Sequence, residues 1–135
     1  MRKPFVSVVA ATLIGIHFAS AAAAQDGSYT RTALSGQPEW MDEYTGWKDD
    51  CSYLSIDIVV VEPPGHGAVE PAQEIKQIPE SAKRGSVHDC AGKDMQATVL
   101  YYTSEAGYRG GDRFKVRMDV PGRESAFFEY EVVVE

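Results

Sequence analysis

The chain has 135 residues, a formal charge of -7 and a pI near 4.9, with 44% hydrophobic and 24% charged residues. That length gives one ordinary domain, and the apolar fraction is that of a globular chain rather than a disordered one. The acidic balance excludes a nucleic-acid role built on clustered Lys and Arg, and two cysteines are too few for a zinc ribbon or a disulfide-dense mini-protein.

Residues 1–24 read as a secretory signal. Met1-Arg2-Lys3 is a basic start, and Phe5 to Ala19 is apolar, lightly interrupted by Ser7, Thr12 and His17. Ala22-Ala23-Ala24 then sets small residues where a signal peptidase reads, before polar Gln25-Asp26. The apolar run is short of the ~20 residues that span a bilayer, so a membrane anchor does not fit. The pattern predicts cleavage after Ala24 and a mature domain over 25–135 with no membrane span, periplasmic or secreted. Losing Arg2 and Lys3 makes that domain more acidic still. Export also decides the reading of Cys51 and Cys90: in an oxidising compartment two lone cysteines pair with each other. A metal site joining them to His66 or His88 lacks any C-x-x-C or H-x-x-x-H spacing.

The segment Glu39-Trp40-Met41-Asp42-Glu43-Tyr44-Thr45-Gly46-Trp47-Lys48-Asp49-Asp50 holds both tryptophans among acids. It reads in two ways. Trp40, Tyr44 and Trp47 are hot-spot residue types, and the acids around them suit a basic protein partner. Alternatively, Trp40 and Trp47 cover the open end of a small core. Beyond Cys51, alternation takes over. Leu54, Ile56, Ile58 and Val60 share a face, and Met95 to Thr103 is β-rich, with Val99 and Tyr101 opposite Leu100 and Tyr102. Phe114, Val116, Met118 and Val120 alternate with charged residues, as do Phe128, Tyr130, Val132 and Val134 apart from Val133. Period two marks strands with one buried face. Pro63-Pro64-Gly65, Gly107, Gly110-Gly111 and Pro121-Gly122 punctuate them. Pro71 to Arg84 is left open between a short helix, an edge strand and a loop.

The elements predict an all-β, antiparallel β-sandwich with one disulfide. Pro121-Gly122 should turn the strand from Arg113 back into the strand ending at Val134. The register that suits both faces sets Phe114 against Tyr130, Val116 against Phe128 and Met118 against Ala126 inside. Outside, it sets Arg113 against Glu131 and Lys115 against Glu129. A one-residue slip would bring Glu129 opposite Phe114.

Two stretches carry a resemblance. Pro64-Gly65-His66-Gly67-Ala68-Val69 is similar to a P-x-H-G-x-V turn, and Tyr102 to Phe114 resembles a Y-x-P-x-x-G-[FY]-x-G-x-D-x-F signature. Both patterns are those of bacterial immunoglobulin-like and cadherin-like modules of secreted and surface proteins, and the resemblance implies an immunoglobulin-like β-sandwich. Ser104 stands where that family usually has proline, which implies a less rigid loop. The same residues make physical sense alone. Gly107 and Gly110 accept positive φ, Tyr108 folds over the end of the core, and Asp112 accepts turn N–H groups to fix the start of the next strand.

A catalytic constellation is not found. His66 and His88 lie in no nucleophile context, Ser86 and Asp89 beside His88 do not make a triad by adjacency, and acids are too common for any pair to stand out. His66, at a strand-ending turn, reads as structural. No calcium loop of the D-x-D-x-D-G kind exists, and the chain has no asparagine, so N-linked glycosylation is excluded. The reading is therefore an exported non-enzymatic binding or structural module of a bacterial envelope, with no catalytic residue, metal or cofactor. The alternative is an acidic inhibitor of a cationic enzyme such as a lysozyme. A small enzyme or metal-handling protein comes third.

Overall fold

The computed structural model describes residues 26–80 and 90–135. The expected signal segment 1–24 and the stretch 81–89, with Ser86, His88 and Asp89, lie outside the described residues. Seven strands follow in order: β1 (Gly27–Ala33), β2 (Pro38–Tyr44), β3 (Asp57–Glu62), β4 (Gly67–Gln77), β5 (Asp94–Ser104), β6 (Gly110–Asp119) and β7 (Ala126–Val134). They form two sheets, ordered β1-β7-β6-β3 and β2-β5-β4. Every neighbouring pair is antiparallel except β1 with β7. The chain is an immunoglobulin-like β-sandwich.

The β6–β7 hairpin has the register that its two faces require: Phe114 opposite Tyr130, Val116 opposite Phe128, Met118 opposite Ala126. Phe114, Val116, Tyr130 and Val132 are all at most 1% exposed. Phe114 stacks on Tyr130 at 4.8 Å and on Tyr102 of the facing sheet at 6.3 Å. Full burial of such rings supplies about 2–3 kcal/mol each. Outside, Arg113 stands against Glu131 and Lys115 against Glu129 as expected. The ion pair, however, forms elsewhere. An extra residue between Val60 and Glu62 in β3 brings Glu62 opposite Lys115, and the ammonium lies 3.9 Å from the Glu62 carboxylate and 5.8 Å from the Phe127 ring. Lys115 is thus an outward residue whose stem is covered, a common habit of long cationic side chains.

Strand β4 answers the open question about Pro71 to Arg84: the chain is extended to Gln77, at the edge of its sheet. Proline is tolerated there because no ladder hydrogen bond is lost. Strand β5 is central, and Ala97, Val99 and Leu100 are buried on both of its faces. A strand buried on both sides shows less alternation than one buried on a single side.

Cys51 and Cys90 are bonded, with Cα atoms 5.3 Å apart, well inside the reach of a disulfide. The bond ties the segment after β2 to the one before β5, and around it Ile78, Cys90 and Met95 form a second small cluster flanked by Trp47. Reducing the bond should lower unfolding free energy by up to about 4 kcal/mol. Urea unfolding with and without reductant measures this. A loss under about 1 kcal/mol would mean that the two segments hold their places without the covalent tie.

Candidate functional site

The two motif-like stretches meet in space as one corner. Asp112, at the start of β6, accepts N–H groups of Gly65 (2.8 Å), His66 (2.9 Å) and Arg113 (2.9 Å), and the Tyr102 hydroxyl (2.8 Å). Burial pushes its carboxyl pKa upward, but these hydrogen bonds outweigh it and hold the pKa below its ordinary value. The Arg113 bond belongs to Asp112's own turn, those from Gly65 and His66 hold the β3–β4 turn, and the Tyr102 hydroxyl ties in β5. The His66 ring stacks on Tyr108 at 4.0 Å, nearly parallel, and the Tyr108 hydroxyl donates to the Gly111 carbonyl at 2.6 Å. Gly107 and Gly110 take positive φ as expected. Ser104, in place of proline, accepts the Gly36 N–H at 2.9 Å and so ties the β1–β2 turn to this end. An open groove of about 650 Å³ runs past the corner, lined by Glu62, His66, Asp112, Arg113 and Glu131. Its central carboxylate, Asp112, is already saturated. The corner is architecture.

Among the described residues, no group of three or more His, Cys, Asp or Glu is placed to hold a metal ion. No helix among them is long and apolar enough to cross a membrane.

The acidic aromatic segment is built differently. Its first half is β2, where an extra residue falls between Trp40, opposite Tyr101, and Asp42, opposite Leu100. This β-bulge at Met41 breaks alternation. Met41 is fully buried, and Asp42 follows it inward, where its carboxylate accepts the Tyr130 hydroxyl at 2.8 Å. The Tyr44 hydroxyl meets the same Tyr130 oxygen. A phenol has one proton to give; Tyr130 gives its proton to the carboxylate, so Tyr44 donates to Tyr130. Burial above all holds both phenols protonated far above the usual range.

Arg31 of β1 completes the network from outside. Its Nε donates to the Met41 carbonyl at 2.7 Å, and a terminal nitrogen lies 3.6 Å from Asp42. The guanidinium carbon sits 5.1 Å from the Tyr29 ring centroid and 5.9 Å from that of Trp40. A planar cation against aromatic faces is attractive. Arg31 therefore latches the edges of the two sheets together.

The three residues singled out from sequence do not share a surface. Tyr44 is in the core, 9% exposed. Trp47 packs, half-buried, against the disulfide cluster. Trp40 is 49% exposed. Tyr29, 37% exposed, and Arg31 join it at this edge; sequence reading passed over both, because β1 has no apolar alternation to mark it as a strand. Tyr101 lies beside Trp40 across the ladder, its hydroxyl held by Glu74 at 2.6 Å.

No protein-family model matches the chain, and no curated protein matches it. Among solved structures it is similar to amebosin, determined in solution, at 12% identity and a TM-score of 0.39, over 81% of this chain and 97% of that one. It is likewise similar to the cysteine protease inhibitor EhICP2 from Entamoeba histolytica, at 12% identity and a TM-score of 0.39, over 83% of this chain and all of that one. Likenesses this distant carry no weight for what this chain binds.

The depressed pKa of Asp112 sets a pH dependence. Its stabilising contribution is complete above the unfolded value of about 3.9 and is lost as pH falls toward the folded value. Asp112→Asn should therefore cost about 1–3 kcal/mol at neutral pH and much less in strong acid. Denaturant unfolding of both proteins across the acid range tests this, and a gap between them that stays constant with pH would refute it.

Proposed function

We propose that the chain is an exported, non-enzymatic binding module of a bacterial envelope, with its contact surface centred on Trp40. The observation that carries this reading is the placement of that ring. It stays half exposed on a strand hydrogen-bonded along one edge, and Arg31 fixes it from the other side. Rigid aromatic anchors lose little conformational entropy on binding, and for that reason Trp, Tyr and Arg are enriched in hot spots. The formal charge of -7 supports a basic protein partner, drawn in by long-range attraction. The resemblance of the corner to modules of secreted and surface proteins points the same way. The same acidity supports a second reading, in which the captured partner is a cationic enzyme such as a lysozyme and capture inhibits it.

Immobilised mature protein, exposed to envelope extract and separately to lysozyme, tests both. Basic proteins should be retained at low salt and released as ionic strength rises, since screening acts within about 8 Å at physiological salt. Trp40→Ala should abolish retention while keeping the melting temperature. Trp47→Ala should instead lower stability by about 2–3 kcal/mol, because its ring packs on the disulfide cluster. Equal retention by wild type and Trp40→Ala would overturn the binding reading. Loss of lysozyme activity on mixing would promote the inhibitor.

A further inference from the structure

Resting on that reading, we infer that the partner presents a lysine or arginine side chain that docks on the cross-strand row of Trp40 and Tyr101, with Glu70 as its counter-charge. The three residues form one row across the second sheet: Trp40 of β2 is opposite Tyr101 of β5, which is opposite Glu70 of β4. Side chains in directly opposed positions lie on one face with Cβ atoms about 5 Å apart. Leu100 and Tyr102 point into the core, so Tyr101 and its row point out.

Charge on this face is uneven. Glu43, Glu70 and Glu74 are set against Lys76, with Asp42 and Arg31 at the edge. Both cations are already engaged: Lys76 lies 3.0 Å from Glu74 and 3.6 Å from Glu43, and Arg31 is paired with Asp42. Glu70 is exposed and has no ion-pair partner among the described residues. The row thus offers two aromatic rings and one uncommitted carboxylate, while its own cations are neutralised. That is the complement of an exposed cation, which ring faces and a carboxylate attract together. Pairing of this face with itself in a second copy does not fit, because both copies would bring the same acidic face. The rings are also held in place. Tyr101 is fixed through its hydroxyl by Glu74, which Lys76 braces in turn.

The chain has two tryptophans, so Trp47→Phe leaves Trp40 as the sole indole reporter. Its fluorescence is titrated with hexalysine, with the fully acetylated peptide, and with a neutral chito-oligosaccharide. On the wild-type chain, the two indole N–H resonances followed by NMR give the same reading without any substitution at Trp47. Hexalysine should perturb Trp40, and the two neutral probes should not. Glu70→Gln should weaken hexalysine roughly fivefold, as should Tyr101→Ala. Glu124→Gln removes the same charge from the exposed β6–β7 turn and should leave affinity unchanged. Equal weakening by Glu70→Gln and Glu124→Gln would reduce the effect to net charge and overturn the proposal, as would an equal response to either neutral probe. In those cases, extract capture that still depends on Trp40 leaves the binding-module reading standing. Capture that persists in Trp40→Ala removes both.

Discussion

The bulge at Met41 is the constraint on which the rest of this structure depends. One extra residue in β2 lets Met41 and Asp42 both face inward while Trp40 and Glu43 face outward. Without it, strict alternation would send Asp42 to solvent. Tyr44, two residues on, would follow it outward, leaving the buried Tyr130 hydroxyl without either of its partners, and an unsatisfied buried hydroxyl costs about 1–3 kcal/mol. This polar contact joins the sheets alongside the apolar packing, since Asp42 belongs to one and Tyr130 to the other.

Arg31 extends the same device to the edge of the sandwich. A buried carboxylate is costly unless charge and hydrogen bonds answer it. Asp42 receives the Tyr130 hydroxyl, the Glu43 N–H at 2.8 Å and the nearby guanidinium. The guanidinium in turn lies against Tyr29 and Trp40. A structural requirement in the core thereby fixes the position of a surface ring, and scaffold and proposed contact surface are one network.

The corner around Asp112 is held by different means. Asp112 closes the β3–β4 turn onto β6, the stacked His66 and Tyr108 rings cover it, and the Ser104 hydroxyl ties in the β1–β2 turn. The disulfide does comparable work for the segments around Trp47, far from the corner in sequence. Both are local devices that stabilise without altering the exposed face of β2, β5 and β4.

The sequence alone determined the sandwich class, the disulfide and the β6–β7 register, because each follows from a rule local in sequence or from a count. Phe114, Val116, Tyr130 and Val132 alternate cleanly over a single buried face, and two cysteines have one way to pair within a chain. Strands β1, β2 and β4 were not legible as strands. β1 is polar and pairs in parallel with β7, β4 carries Pro71 at a sheet edge, and the Met41 bulge hides β2 from any period-two reading. The acidic aromatic segment was visible by composition, but not how it divides into Tyr44 in the core, Trp47 against the disulfide and Trp40 at the surface. Only tertiary structure decided that division. The side on which each ring lies depends on one inserted residue and on partners up to 86 positions away, Tyr130 foremost, and no local pattern encodes contacts at that distance.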